Sequence, residues 1–324
     1  MILSIVAILG GLALLVWSAD RFVDGASVVA HNMGISTLII GITIIGFGTS
    51  APEILISLFS VFDDTPDLAI GNALGSNIAN IGLILGVTSL LIPLTFTSKL
   101  VRREFPILLF ATALMAWVLW DAYLDLIDGI LLLVVLTAAL TYLVRFSKTD
   151  KNDAMASELE QEIPHDMSTQ KAMMWTLIGL LVLVASSKLL VWGAVNIATE
   201  LGVSELIIGL TIVALGTSLP ELAAAIAGAR KGEPELVMGN VIGSNLFNSL
   251  AVIGLPAVMV DFPVSPMAIA RDLPVMLALT ALLYLISQFP KGSCCVITRI
   301  KGITLLSGFV LYQGLLYYQV ITLN

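Results

Sequence analysis

Apolar residues run along this chain in long blocks, and charged or turn-forming residues are confined to the gaps between them. Cutting at the gaps leaves ten stretches, at 2–19, 35–61, 68–93, 104–120, 126–146, 172–193, 204–229, 236–260, 273–288 and 302–320. Each is close to or beyond the roughly 20 apolar residues that a helix needs to cross a hydrocarbon core about 30 Å thick. A backbone in lipid must satisfy its own polar groups, so the blocks predict an all-α polytopic membrane protein of ten transmembrane helices. An even number of crossings puts both ends of the chain on one side. The longest connection, Ser147–Gln170, carries Asp150, Asp153, Glu158, Glu160, Glu162 and Asp166 and reads as a solvated linker, too short and too polar for a folded domain.

The blocks repeat. Residues 38–86 and 206–254 align without a gap at a shift of 168, with 20 of 49 positions identical. Apolar bias accounts for matched Leu and Ile. It does not account for GTSxPE (Gly48–Glu53, Gly216–Glu221) and GNxxGSNxxN (Gly71–Asn80, Gly239–Asn248) recurring at one shift. Weaker matches continue downstream, where Arg103, Glu104 and Pro106 correspond to Arg271, Asp272 and Pro274. Each copy holds five spans, and an odd number forces the second copy to enter the membrane from the opposite face. The expected organisation is a five-helix repeat over 1–146, a cytoplasmic linker over 147–170 and an inverted five-helix repeat over 171–324. Inverted repeats are the architecture of many secondary transporters, with the substrate site near the midplane at discontinuous helices.

Composition removes other classes. With 58% apolar and 12% charged residues among 324, and a mean hydropathy of +1.02, the chain is no water-soluble domain. A formal charge of -8 argues against a nucleic-acid partner. The two cysteines, Cys294 and Cys295, are neighbours, which gives neither a disulfide framework nor metal-ligand spacing. The first apolar run, from Ile2 to Trp17, lacks a basic region before it and a small-residue cleavage site after it, so it reads as a retained span. Of the 15 basic residues, 13 fall in one alternate set of connections and only Lys188 and Arg271 in the other. Basic loops are cytoplasmic, so the termini are expected outside and the linker inside a plasma or inner membrane.

Among the 23 carboxylates, Glu53 and Glu221 stand out, deep inside apolar stretches with no Lys, Arg or His at comparable depth. Lys188 comes nearest, but is expected toward the outer end of its span. A carboxylate at a helix centre costs about 2.5 to 3.5 kcal/mol on insertion scales, so each needs a compensating partner. Without a basic side chain, that partner is a mobile cation or a proton. On a helix, Thr49 and Ser50 share a face with Glu53, as Thr217 and Ser218 do with Glu221. Asn72, Ser76 and Asn80 recur every four residues in the next span, as do Asn240, Ser244 and Asn248. Pro52 and Pro220 have no amide hydrogen and free the carbonyls of Gly48 and Gly216, with Gly46 and Gly48 loosening the turn before Pro52. Two carboxylates among hydroxyl, amide and carbonyl oxygens suit Ca2+, which accepts 6 to 8 oxygens, better than Mg2+, Zn2+ or Cu2+. Two or three Na+ fit the same oxygens, and charge balance leaves Na+ and H+ both open as counter-ion.

These motifs, GTSAPE, GTSLPE, GNALGSNIAN and GNVIGSNLFN, resemble the two alpha repeats of the cation/Ca2+ exchanger superfamily, and in particular its prokaryotic-type Na+/Ca2+ branch. The resemblance spans the whole ten-span layout. It implies that Thr49, Glu53, Thr217 and Glu221 hold a central Ca2+. Flanking Na+ sites are then expected at Ser50, Ser76, Ser218 and Ser244 with the carbonyls of Gly46 and Ala214, and Asn80 and Asn248 belong to the same ligand set. It also implies that spans 1 and 6 slide as a pair across the other eight. Some relatives carry Asp at the position of Asn248 and co-transport K+, which the Asn here disfavours. The linker has no room for the Ca2+-sensing domains of animal exchangers.

The expected function is thus secondary antiport of Ca2+ against Na+ by alternating access, with an H+/Ca2+ or other divalent-cation antiporter as the alternative and a cation channel behind it. Enzymatic activity is not expected. His31 and His165 lie in predicted connections, no HExxH occurs, and no general base accompanies Thr49, Ser50 or their copies. Besides the transported ions and the lipid bilayer, no cofactor or protein partner is implied.

Overall fold

A computed structural model describes residues 1–33, 46–147, 167–232, 234–288 and 294–323. It is helical throughout, apart from two short strand pairs. Among the described residues, eight helices are long and apolar enough to cross a membrane, and a ninth crossing is formed by a pair bent by 40°. The second apolar stretch contributes the shorter helix α2 (Gly46–Phe62), so each of the ten stretches carries helix. The first part of that stretch, 34–45, and most of the linker, 148–166 with His165, lie outside the described residues.

The two motif helices form the centre. One is α3 (Pro66–Ala79), continued by a π turn (Asn80–Ile84) and α4 (Leu85–Leu91). The other is the single helix over Pro234–Met259. In their most apolar 18-residue stretches 78% and 83% of the residues are buried, against 22% over Leu126–Leu143 in a peripheral helix. Helix α5 (Ser98–Val118) and α6 (Leu126–Ser147) flank this centre in the first half.

The first helix of each half is far longer than the apolar pattern predicts. Helix α1 spans Ile2–Asn32 and α7 spans Thr169–Leu201, about 46 to 50 Å at about 1.5 Å per residue. The expected ends at residues 19 and 193 are therefore corrected. Helix α1 continues through Asp20, Arg21 and Asp24 because their charges are handled locally. Arg21 pairs with Asp24 at 3.7 Å and lies 5.4 Å from the centroid of the Trp175 ring of α7. Lys188, too, is not near the end of its helix, which runs on to Leu201. Its Nζ sits 5.9 Å from the centroid of the Phe59 ring.

Small residues let α1 and α7 pack closely in antiparallel order. Ser4, Gly11, Ser18 and Gly25 recur every seven residues on α1, as do Ala172, Gly179, Ser186 and Gly193 on α7, and all eight are buried. A methyl added at Gly25 would lie 2.6 Å from the Ala172 carbonyl, one at Gly179 2.6 Å from the Phe22 amide, and one at Gly193 2.9 Å from the Ser4 carbonyl. Such contacts are the membrane equivalent of a small-residue helix seam.

The second half continues with α8 (Glu205–Ile208), a π turn (Gly209–Val213), α9 (Ala214–Thr217), α10 (Leu219–Lys231) and α11 (Pro234–Met259). Helix α3 crosses this segment at Gly71 and Gly209, whose Cα atoms face each other so closely that a methyl on either would come within 3.0 Å of the other. A third π turn (Ala268–Asp272) opens α12 (Leu273–Ser287), and α13 (Arg299–Leu323) ends the described chain. Strand β1 (Leu94–Thr97) pairs antiparallel with β4 (Cys294–Ile297), and β2 (Tyr123–Leu124) with β3 (Phe262–Pro263). Each pair joins two connections that the span count assigns to the same side, the basic side for β1 and β4 and the acidic side for β2 and β3.

Candidate cation site

The two GTSxPE motifs meet at the middle of the molecule. Glu53 lies in the second turn of α2 and Glu221 in the first turn of α10, each 1% exposed. The Thr217 hydroxyl, from the other half, lies beside the Glu53 carboxyl but directs its hydrogen to the Val213 or Ala214 carbonyl at 3.1 and 3.2 Å, and the two carboxyls interact electrostatically. Among the described residues, one oxygen of each, Oε2, has no hydrogen-bond partner, and neither glutamate forms an ion pair with a basic side chain.

The surrounding hydroxyls and amides are equally buried. Among the described residues, Ser50, Ser76, Ser218 and Ser244 each leave their Oγ without a partner, Asn80 leaves its Oδ1, and Asn248 leaves both its amide atoms. An unsatisfied buried polar atom costs about 1 to 3 kcal/mol, and native interiors hold few of them. Those named here lie on the helices that carry the two glutamates or pack against them, and a cation is the partner that satisfies such an oxygen set together. Among the described residues no three His, Cys, Asp or Glu side chains cluster, so neutral oxygens must supply most of any coordination shell.

The helix breaks differ between the copies. Helix α9 ends at Thr217, Ser218 takes φ -85° and ψ 2°, and α10 restarts at Leu219 with Pro220 in its first turn. Gly216 and Pro220 thus flank a real break. In the first copy, α2 runs through Gly46, Gly48 and Pro52 without one, so the expected break at Pro52 is absent from the described helix. The side chain of Thr49 lies outside the described residues. The carbonyl of Ala214 is already engaged, accepting from the Ser218 amide at 3.1 Å and the Thr217 hydroxyl at 3.2 Å.

Other polar residues hold this arrangement, and of them the four-residue stripe reveals Asn72 but not Asn77 or Asn245. Asn72 donates to the Glu53 carbonyl at 3.0 Å and to Ser57 at 3.1 Å, which ties α3 to the backbone of the site helix. Its counterpart Asn240 is only partly buried, and Ala225 stands where the repeat would place a second Ser57. Asn77 donates to Ser249 at 3.0 Å, and Asn80 donates to Asn245 at 3.0 Å, both across the halves. Asn77 and Asn245 are visible in the repeated GSN triplet. Neither falls on the spacing that selected Ser76 and Asn80.

One further buried carboxylate is internally compensated. Asp272, expected at a span end, is fully buried and accepts from Arg271 at 2.6 and 2.9 Å and from the Tyr312 hydroxyl at 2.7 Å. Arg271 also donates to Gln319.

Comparison with known proteins agrees with this fold. The family model described as sodium/calcium exchanger protein matches residues 3–145 and 171–318. A putative antiporter CaxA of Alkalimonas amylolytica is 45% identical over 318 residues, covering 98% of this chain and 99% of the relative. The inner membrane protein YrbG of Escherichia coli K12 is 39% identical, with 98% of each chain covered. A solved structure of the sodium-calcium exchanger NCX_Mj, soaked with Na+ and Ca2+, superposes with a TM-score of 0.65 at 29% identity, covering 100% of this chain and 99% of the other. That fold is built of two inverted repeats.

Proposed function

Since the chain belongs to the sodium/calcium exchanger protein family, we propose that it is a secondary antiporter that moves Ca2+ against Na+ across the cell membrane by alternating access. The observation that carries this reading is the pair of buried carboxyls, Glu53 and Glu221, which meet without a basic side chain among unpartnered oxygens. Their formal charge of -2 matches one Ca2+. The same oxygens divide among two or three Na+ when Ca2+ leaves, which couples the two ions by competition.

In this reading Thr49, Glu53, Thr217 and Glu221 hold Ca2+. Ser50, Ser76, Asn80, Ser218, Ser244 and Asn248 flank it, with the carbonyls of Gly46 and Ala214 joining for Na+. The Ala214 carbonyl becomes a ligand only when the Thr217 hydroxyl turns toward the ion. The break at Ser218 supplies that freedom, because straightening or bending there moves Thr217 relative to Glu221. The pair α1 and α7 is the moving unit, and the side chain of Leu12 on α1 lies directly on Gly216 beside the break. The two stretches matched by the family model support the division into repeats over 1–146 and 171–324 with a linker between. The basic bias of the linker side supports termini outside and a cytoplasmic linker, and the name of the inner membrane relative supports a cell-membrane location.

Protein reconstituted into liposomes tests the coupling ion. Ca2+ uptake should follow an outward Na+ gradient and survive a protonophore. Uptake that ignores Na+ and requires a pH gradient would replace this reading with H+/Ca2+ exchange, and single-channel currents would replace it with a channel.

A further inference from the structure

Among the positions where the two copies differ, Ile81 and Ser249 lie beside the site, and the hydrogen bonds around this pair bear on one ligand. Asn77 and Asn245 correspond at the shift of 168, as do Ile81 and Ser249. Asn77 donates its Nδ2 to the Ser249 hydroxyl at 3.0 Å and to the sulfur of Met276 at 3.3 Å. The symmetric bond, from Asn245 to residue 81, cannot form because isoleucine offers no acceptor. The Oδ1 of Asn245 instead accepts from the Nδ2 of Asn80 at 3.0 Å. All four polar residues, Asn77, Asn80, Asn245 and Ser249, are no more than 1% exposed, so water does not compete for these bonds.

The consequence falls on Asn80. Its amide nitrogen is held by Asn245, which leaves its Oδ1 unpartnered among the described residues. The turn it opens, Asn80–Ile84, packs against α10, the helix that carries Glu221. Its counterpart Asn248 has neither amide atom bonded to a described residue. The reverse pairing, with Asn245 donating, would satisfy one bond equally well but turn the NH2 of Asn80 toward the pocket, where a cation repels it. A bound cation and the Asn245 acceptor therefore favour the same sense of the amide.

We propose that Asn245 is a positioning residue that presets Asn80 as an oxygen ligand, so that the two halves of the cation site are inequivalent, with Asn80 fixed and Asn248 free to turn. This rests on the reading of the pocket as a cation site.

Calorimetric Ca2+ titration of the purified full chain in detergent tests it. Asn245→Leu, or the smaller Asn245→Ala if the first fails to insert, should weaken Ca2+ binding about tenfold, the scale of one buried hydrogen bond. In an Asn80→Ala background the same change should add nothing, because its effect runs through Asn80. Asn245→Asp, which keeps the accepting oxygen, should bind within about threefold of the unmodified chain. Ser249→Ala, which removes a buried bond of the same length from Asn77, should lower thermal stability and leave Ca2+ affinity within about twofold. Multiplicative losses in the double variant would overturn the proposal. So would an Asn245→Asp as weak as Asn245→Leu, or a Ser249→Ala that weakens Ca2+ binding tenfold. An unmodified chain that binds neither Ca2+ nor Na+ would overturn the cation-site reading itself.

Discussion

Glu53, Glu221 and Asp272 are all buried carboxylates, yet they do different work. Asp272 has Arg271 and Tyr312 on it, and its charge is cancelled inside the protein. Changing Asp272 to Asn strands the Arg271 guanidinium and should cost about 3 to 5 kcal/mol, the usual scale for breaking a buried pair, seen as a lower thermal unfolding midpoint. Ca2+ affinity should be unaffected, because Asp272 is not part of the oxygen cluster. Asn72 differs from its counterpart in the same way. It holds the backbone of Glu53 and bonds Ser57, whereas Asn240 is only partly buried. Asn72→Ala should therefore slow exchange about tenfold or more and Asn240→Ala less, as read by Ca2+ uptake into vesicles. The glutamates were legible in the sequence because a charge in an apolar block is rare and costly. Asp272 was not, since a charge beside a basic neighbour at the edge of a block looks the same as a solvated one. Asn77 and Asn245 escaped because their partners lie in the other half of the chain, and spacing along one helix carries no record of that.

At the level of elements, hydropathy located every described membrane helix but misjudged the lengths of α1 and α7. Asp20, Arg21 and Asp24 resemble a connection when only their polarity is counted, but one turn of helix lets Arg21 reach both Asp24 and Trp175. The seven-residue recurrence of small residues on both helices was present in the sequence and marks their seam, although it acquires meaning only once the two are known to pack together. Gly25→Val or Gly179→Val should push the pair apart and lower both stability and exchange rate. Gly10→Val should be tolerated, because a side chain there meets nothing within 4 Å. Thermal unfolding of the three variants, paired with their uptake rates, checks this. The break at Ser218 was anticipated from Pro220, but the same proline signal at Pro52 gave a continuous helix. A proline inside a helix removes one hydrogen bond, and the packing around it decides whether the backbone turns there.

For the whole molecule, the repeat at a shift of 168 is what made the architecture readable, since it fixed the number of spans per half and the inverted sense of the second. The strand pairs add a check that the sequence did not offer. Joining β1 to β4 and β2 to β3 ties together connections on the same predicted sides, as a count of ten crossings requires. Absolute orientation rests on the distribution of basic residues. A cysteine placed at Asp64 in a chain lacking Cys294 and Cys295 should react with an impermeant thiol reagent from outside intact cells, and one at Lys148 should not. The central claim, that exchange runs through two carboxyls contributed by the two halves, is tested most directly by the Na+-driven Ca2+ uptake of Glu53→Gln and Glu221→Gln in reconstituted liposomes, with insertion verified for each. Both are expected to fall at least about a hundredfold, because either change leaves a single carboxylate for a divalent ion. Normal uptake by either variant would contradict the account.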